Sequence, residues 1–288
     1  MRLTELFAGT APVFSFEFFL PKTTDDMARF KRMVGRLQAL EPSFVTITYG
    51  AGGSERGRTI ETAGMIQREL GIETAAHLTC IGHTRSEIED ILRRIGDYGI
   101  ENIVALRGDQ PKDAAAVSAA GRELPYARDL VEIIRARRGF AVAVAGYPET
   151  HPEAADAATD LAHLKAKVDA GADWIITQLF FRNADYFSFV ERARAAGITC
   201  PIVPGIMPVT SFAQTKRFSE MCGATLPDEM TEALSRIAED KEAIVRYGVE
   251  YATRQCRELL EKGAPGVHFY TINKSRSTAD ILSRLRKA

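Results

Sequence analysis

The chain has 288 residues, with 45% apolar and 26% charged side chains and a formal net charge of −1. That balance provides for a sizeable core and argues against nucleic acid or an anionic membrane as a general partner. No run approaches the roughly 18 apolar residues of a membrane span, and the opening MRLTELFAGTAP lacks a basic head followed by an apolar stretch, so no signal peptide is expected.

Short β-forming runs alternate with longer helical patterns along the chain. Strands are expected at 13–19, 44–49, 73–80, 102–107, 140–145, 173–180, 201–206 and 267–271. Amphipathic helices are expected between them, over 25–40, 58–70, 85–98, 127–138, 153–170 and 184–196. In the third, Ile88, Ile91, Leu92 and Ile95 form one stripe, and Thr84 with Glu87 reads as a capping box. Gly71, Gly99 and Gly171 stand where C-cap glycines belong. The stretch 207–266 is too long for one crossover and predicts two or three helices.

Eight strands alternating with helices indicate a parallel α/β architecture, and eight is the count of a closed (β/α)8 barrel. An open doubly wound sheet has the same alternation, and counting does not separate them. With no repeat or Pro/Ser-rich linker, one domain over 1–288 is expected.

The four cysteines, at 80, 200, 222 and 256, form no CxxC pair, which argues against a disulfide framework or structural zinc. His77 and His83 near Cys80 do not have a zinc spacing. A reduced, cytoplasmic protein is expected.

In VFSFEFFLPKT, residues 13–23, strand alternation puts Phe14, Phe16 and Phe18 on one face and Ser15, Glu17 and Phe19 on the other. A carboxylate amid aromatics is either paired or has its pKa raised by burial, and a paired structural residue is the commoner case. The other expected strand ends carry Thr48, Tyr49, His77, Thr79, Arg107, Gly108, Asp109, Tyr147 and Gln178, where a barrel places its site.

YGAGGSERGRT, 49–59, matches GxGxxG only until Glu55, and no GK[ST] follows, so neither dinucleotide fingerprint is present. ALRGDQP, 105–111, sets a cation, a glycine and an anion in succession, as a structural Arg–Asp pair or as a ligand site. Two prolines stiffen AGYPETHPEA beside Tyr147 and His151, and Lys165 and Lys167 follow within reach of a phosphate or of solvent.

Taken together, SFEFFLPKT, TYGAGGSERGRT, AHLTCIG, NIVALRGDQP, GYPETHPEA, DAGADWIITQLFF, PGIMPV and HFYTIN resemble, in order, the signature blocks of methylenetetrahydrofolate reductase. They run from about residue 13 to 274, and the likeness is to the short bacterial form without a regulatory domain. The resemblance implies a (β/α)8 barrel with noncovalent FAD across its top, and a homo-oligomer. It implies reduction of 5,10-methylenetetrahydrofolate to 5-methyltetrahydrofolate, in one-carbon and methionine metabolism. NADH or NADPH reduces FAD and leaves, and folate then enters the same face.

By the same resemblance Glu17 is the general acid that assists opening of the folate imidazolidine ring at N10, a role suited to a carboxyl whose pKa is raised by burial. Asp109 stands beside flavin and pterin, and Gln178, Phe212 and Lys274 meet the folate. The implied FAD positions are Thr48, His77, Arg107, Gly108, Asp109, Tyr126, Ala127, Tyr147, His151, Asp160, His163 and Lys167. Departures are Leu20 in place of proline, and His163 and Ala166 where some relatives have Asn and Arg, which predicts weaker phosphate contacts.

Three other readings compete. The same pocket could work in the oxidative direction on 5-methyltetrahydrofolate. A noncatalytic flavin- or folate-binding barrel would predict loss of the acid, yet Glu17, Asp109 and Gln178 are present. A phosphate-binding barrel such as an aldolase would want a Schiff-base lysine or a metal cluster at strand ends, and neither is evident.

Overall fold

The computed structural model describes residues 1–21, 23–49, 53–109 and 123–287, with 24 and 53–56 described by backbone alone. Residues 50–52 of the glycine-rich loop, Lys22, and Gln110 and Pro111 after the fourth strand lie outside the described residues.

A 3-10 helix (Leu3–Ala8) leads into β1 (Val13–Phe18). The chain then alternates α1 (Thr24–Gln38), β2 (Phe44–Ile47), α2 (Gly53–Glu69), β3 (Thr74–Thr79), α3 (Arg85–Asp97) and β4 (Asn102–Leu106). Next come α4 (Ala127–Arg137), β5 (Ala141–Gly146), α5 (Ala157–Asp169), β6 (Trp174–Thr177) and α6 (Asn183–Ala195). Two short strands follow, β7 (Ile202–Val203) and β8 (Gly205–Ile206). After α7 (Phe212–Cys222), α8 (Asp228–Arg236) and α9 (Lys241–Glu261), the chain ends with β9 (Gly266–Tyr270) and α10 (Ser275–Leu285).

The all-parallel sheet has the order β7-β6-β5-β4-β3-β2-β1-β9-β8. β7 and β8 are halves of the single strand expected at 201–206, separated by Pro204. β7 pairs with β6 and β8 with β9, so this one stave spans the gap between the sheet's ends. Proline breaks the strand because it has no N–H to donate. Its carbonyl still accepts from His268 N at 2.9 Å, and Gly205 N turns to Thr177 Oγ1 at 2.9 Å. The sheet is therefore a nearly closed barrel of the (β/α)8 type, and the open doubly wound alternative is set aside. The extra helices between the last two strands are α7, α8 and α9.

Alternation decides what each strand buries. Phe14, Phe16 and Phe18 face the helix layer, where Phe18 meets Phe30 of α1 edge-on at 5.6 Å. Burying each such ring stabilises the fold by roughly 2–3 kcal/mol. Inside the barrel, Val13, Phe44, Ala75, Val104, Ala143, Trp174 and Val203 fill the lower part, and Leu3 of the 3-10 helix closes it from below. Leu3 N is held by Asn102 Oδ1 at 2.8 Å, at the start of β4.

Helix ends follow the local chemistry. The Thr84–Glu87 capping box forms, and Gly71, Gly99 and Gly171 take positive φ of 63°, 77° and 116°. α5 begins at Ala157 rather than 153, because Asp156 caps it by accepting from Thr159 N at 2.7 Å. α2 begins earlier than expected, at Gly53. The 3-10 helix and α10 are additions to the expected elements. Among the described residues, no helix is long and apolar enough to cross a membrane.

Candidate active site

A cavity of about 460 Å³ opens at the C-terminal ends of the strands. Glu17 and Tyr270 come from β1 and β9, Thr48 and Tyr49 follow β2, and His77 and Thr79 end β3. Arg107, Gly108 and Asp109 follow β4, Tyr147 and His151 follow β5, and Gln178 follows β6. Ala127 opens α4, and Lys167 reaches in from α5. The polar strand ends that are far apart in sequence thus line one space.

Glu17 lies in register with Thr46 on β2 and Tyr270 on β9. Its Oε2 is 3.3 Å from His77 Nε2, 3.4 Å from His268 Nε2 and 3.5 Å from Thr46 Oγ1. One layer below, His268 Nδ1 shares a 2.7 Å hydrogen bond with Ser15 Oγ. His77 Nε2 is buried and makes no aligned hydrogen bond among the described residues.

Here the expectation of a raised pKa is corrected. Burial is the largest single influence and pushes the Glu17 carboxyl up, but His77 and His268 together outweigh it and hold it down to about 2. The sequence could not display these partners, because His268 is 251 positions away. Its signal was the alternation in VHFYT, which turns His268 and Tyr270 inward together.

Two cations serve the cavity. Arg107 is bidentate to Glu153, at 2.7 and 2.8 Å, and this is its ion pair in place of the local Arg–Asp pair. Lys167 donates to Ala145 O at 2.6 Å, and burial pulls its ammonium down to about 8 against the opposing pull of Asp160. Lys165 instead pairs with Asp169 at 2.5 Å on the helix surface.

Burial pushes the Tyr147 phenol up to about 12, with a hydrogen bond to Gln178 acting in the opposite direction. The Tyr147 ring lies 4.5 Å from that of His151. Gly108 has φ +88°, and a Cβ there would meet Ile81 Cγ2 at 2.7 Å. Its backbone is therefore left bare in the cavity lining, beside Thr79. Small residues, a bare peptide and two cations in one cavity fit a flat ring system carrying an anionic diphosphate.

Some sequence-predicted residues stand outside the cavity lining. Tyr126 is 58% exposed ahead of α4, and His163 is exposed on α5. Asp160 accepts from His151 N at 3.0 Å and so braces a lining residue. Phe212 starts α7, half-buried against the cluster of Met207, Val209 and Met230. Lys274 Nζ bonds Thr210 Oγ1 and Gln214 Oε1, both at 3.1 Å.

Sequence reasoning did not single out Tyr270. Its hydroxyl donates to Thr177 O at 2.6 Å, so the phenol is engaged and the ring lines the cavity beside Glu17. Gly205 makes the room, since a Cβ there would come within 2.6 Å of the Tyr270 ring.

The chain matches the family model described as methylenetetrahydrofolate reductase over residues 2–286. It is 41% identical to a probable methylenetetrahydrofolate reductase (NADH) of Oryza sativa, across 99% of this chain and 50% of that protein. It is 40% identical to the 5,10-methylenetetrahydrofolate reductase of Salmonella typhimurium, across 94% of this chain and 90% of that protein. The chain thus spans about half the length of the plant relatives it matches. A Clostridium thermocellum protein that binds two copies of 5-methyl-5,6,7,8-tetrahydrofolic acid shares the fold, with a TM-score of 0.68 and 14% identity over 100% of this chain and 98% of that one. Seven of the eight motifs contribute described residues to one barrel-top cavity, and the family match covers residues 2–286: the chain belongs to the methylenetetrahydrofolate reductase family.

Proposed function

We propose that the chain reduces 5,10-methylenetetrahydrofolate to 5-methyltetrahydrofolate with NADH or NADPH through noncovalent FAD, the two substrates taking turns on one face. The observation that carries this reading is the placement of Glu17, Asp109 and Gln178 around one cavity that also holds Arg107 and Lys167.

Bound FAD supplies hydride transfer between nicotinamide and folate. Arg107 and Lys167 are the groups to meet its diphosphate, within a lining of Thr48, His77, Gly108, Ala127, Tyr147 and His151. Tyr126, Asp160 and His163 belong to its outer contacts. Asp109 would stand beside flavin and pterin, and Gln178, Phe212 and Lys274 would hold the folate.

Glu17 holds the proton that opens the imidazolidine ring. In the uncovered cavity it is a carboxylate between two imidazoles. A pterin laid over it removes water, and loss of solvation disfavours the charged carboxylate. Covering the site therefore raises the affinity of the Glu17 carboxyl for the proton it is proposed to deliver.

The visible spectrum before and after anaerobic NADH tests the reading. A flavin spectrum that NADH bleaches and methylenetetrahydrofolate restores is the expected result. A colourless protein that stays inactive after FAD is added overturns it. Slower restoration by methylenetetrahydrofolate than bleaching by 5-methyltetrahydrofolate would favour the oxidative direction, and binding of both ligands without bleaching would favour a noncatalytic barrel. The same reading takes the protein as a cytoplasmic homo-oligomer, which sedimentation checks for its oligomeric part.

A further inference from the structure

We infer that Thr271 and Asn273, on the turn between β9 and α10, are positioning residues for Glu17, holding the backbone from which the carboxyl projects. Thr271 Oγ1 donates to the Glu17 carbonyl at 2.6 Å, and Thr271 N reaches the same oxygen at 3.3 Å. Two residues on, Asn273 Oδ1 accepts from Phe19 N at 2.9 Å while its Nδ2 donates to Phe19 O at 3.0 Å. The side-chain amide thus continues, beyond the end of β9, the pairing that the β1–β9 ladder has just given up.

The turn is itself over-determined. Ile272 and Asn273 take φ of 49° and 53° in succession. A β-branched residue is disfavoured in that region, so it persists only where surrounding contacts require it. Those contacts are visible. Ile272 packs into the apolar cluster around Met207 and Met230, Asn273 N donates to Thr271 Oγ1 at 3.2 Å, and Lys274 N donates to Thr271 O at 2.8 Å.

The side chain of Glu17 needs such help. Its own contacts, to His77, His268 and Thr46, span 3.3 to 3.5 Å, the long end for hydrogen bonds to a carboxylate. None of them is short enough to fix the direction of the carboxyl by itself. The short bond is the one to its carbonyl, made by a Thr271 side chain that is only 3% exposed as a residue. Orientation of the acid is therefore set through the main chain. Asn273 is exposed and competes with water, so its share is the smaller one.

The kinetic test rests on the reductase reading. Thr271→Val keeps the shape and removes the donor, and Thr271→Ser restores it. Expected for Thr271→Val is a loss of about 10-fold in flavin reoxidation by saturating methylenetetrahydrofolate. Its pH profile shifts, while NADH reduction of the flavin and FAD affinity stay within about twofold. Thr271→Ser returns to within about threefold of the parent, and Asn273→Ala loses about threefold. Equal losses in both half-reactions, or Thr271→Ser as impaired as Thr271→Val, overturn the inference.

A second measurement does not depend on folate turnover. The Glu17 carboxyl, followed by carbon NMR in the protein without folate, titrates at a different pH in Thr271→Val than in the parent and Thr271→Ser. An unchanged titration overturns the positioning role. A parent protein that fails to turn over methylenetetrahydrofolate overturns the reductase reading alone.

Discussion

Glu17 Oε2 stands 3.3 Å from His77 Nε2, with the two side chains only 14% and 7% exposed. The folded carboxyl titrates at about 2, below its ordinary 4.5, so it contributes stability in full above about pH 4.5. That contribution is lost as the pH falls towards 2. Glu17→Gln should therefore be less stable than the parent near pH 6 by about 1–2 kcal/mol, with the gap closing in acid. Urea unfolding at pH 6 and pH 3 checks both the size and the sign.

The same substitution separates the two half-reactions. On the proposed role of Glu17 as the acid, folate turnover should fall by about 100-fold or more. NADH should still bleach the flavin at close to the parent rate. Stopped-flow measurement of each half-reaction is the check, and near-normal folate reduction would remove Glu17 from the mechanism.

Lys167 is predicted to trade stability for cofactor binding. Its value of about 8 lies below the ordinary 10.5, so the charged form is disfavoured by folding, and stability rises as pH climbs from 8 towards 10.5. Lys167→Met should leave the melting temperature of the FAD-free protein equal or higher at pH 7. It should weaken FAD by about 10-fold or more. Thermal melts at pH 7 and 9.5, with flavin titration, read both effects.

Glu153 engages both terminal nitrogens of the Arg107 guanidinium, in competition with any anion in the cavity. Glu153→Gln removes the competing charge while keeping an acceptor. FAD affinity should rise by about two- to tenfold, as read by flavin fluorescence. A weakened affinity would mean that Glu153 aims Arg107 rather than competing for it.

Ala166 adjoins Lys167 on α5, and His163 lies three positions earlier, exposed. Neither supplies a fixed positive charge. Ala166→Arg should tighten FAD by about 10-fold and retain flavin through dilution. No change in the dissociation constant would show that the parent already holds its phosphates fully.

Sequence by itself determined the barrel class, its family and most of the cavity. Strand alternation placed Phe16 and Glu17 on opposite faces, and strand ends such as Arg107 and Gln178 were legible because a barrel gathers those ends on one rim. These are properties of short, local patterns. Three-dimensional structure decided what depends on distant partners: the closure through Pro204, the pairing of Arg107 with Glu153, and the ionisation of Glu17. A carboxyl amid phenylalanines reads as either paired or desolvated, and the partners His77 and His268 are known only once the fold brings them within 3.4 Å, because Coulomb attraction depends on separation in space and not on position in the chain. The Thr271–Glu17 bond, spanning 254 positions, is of the same kind.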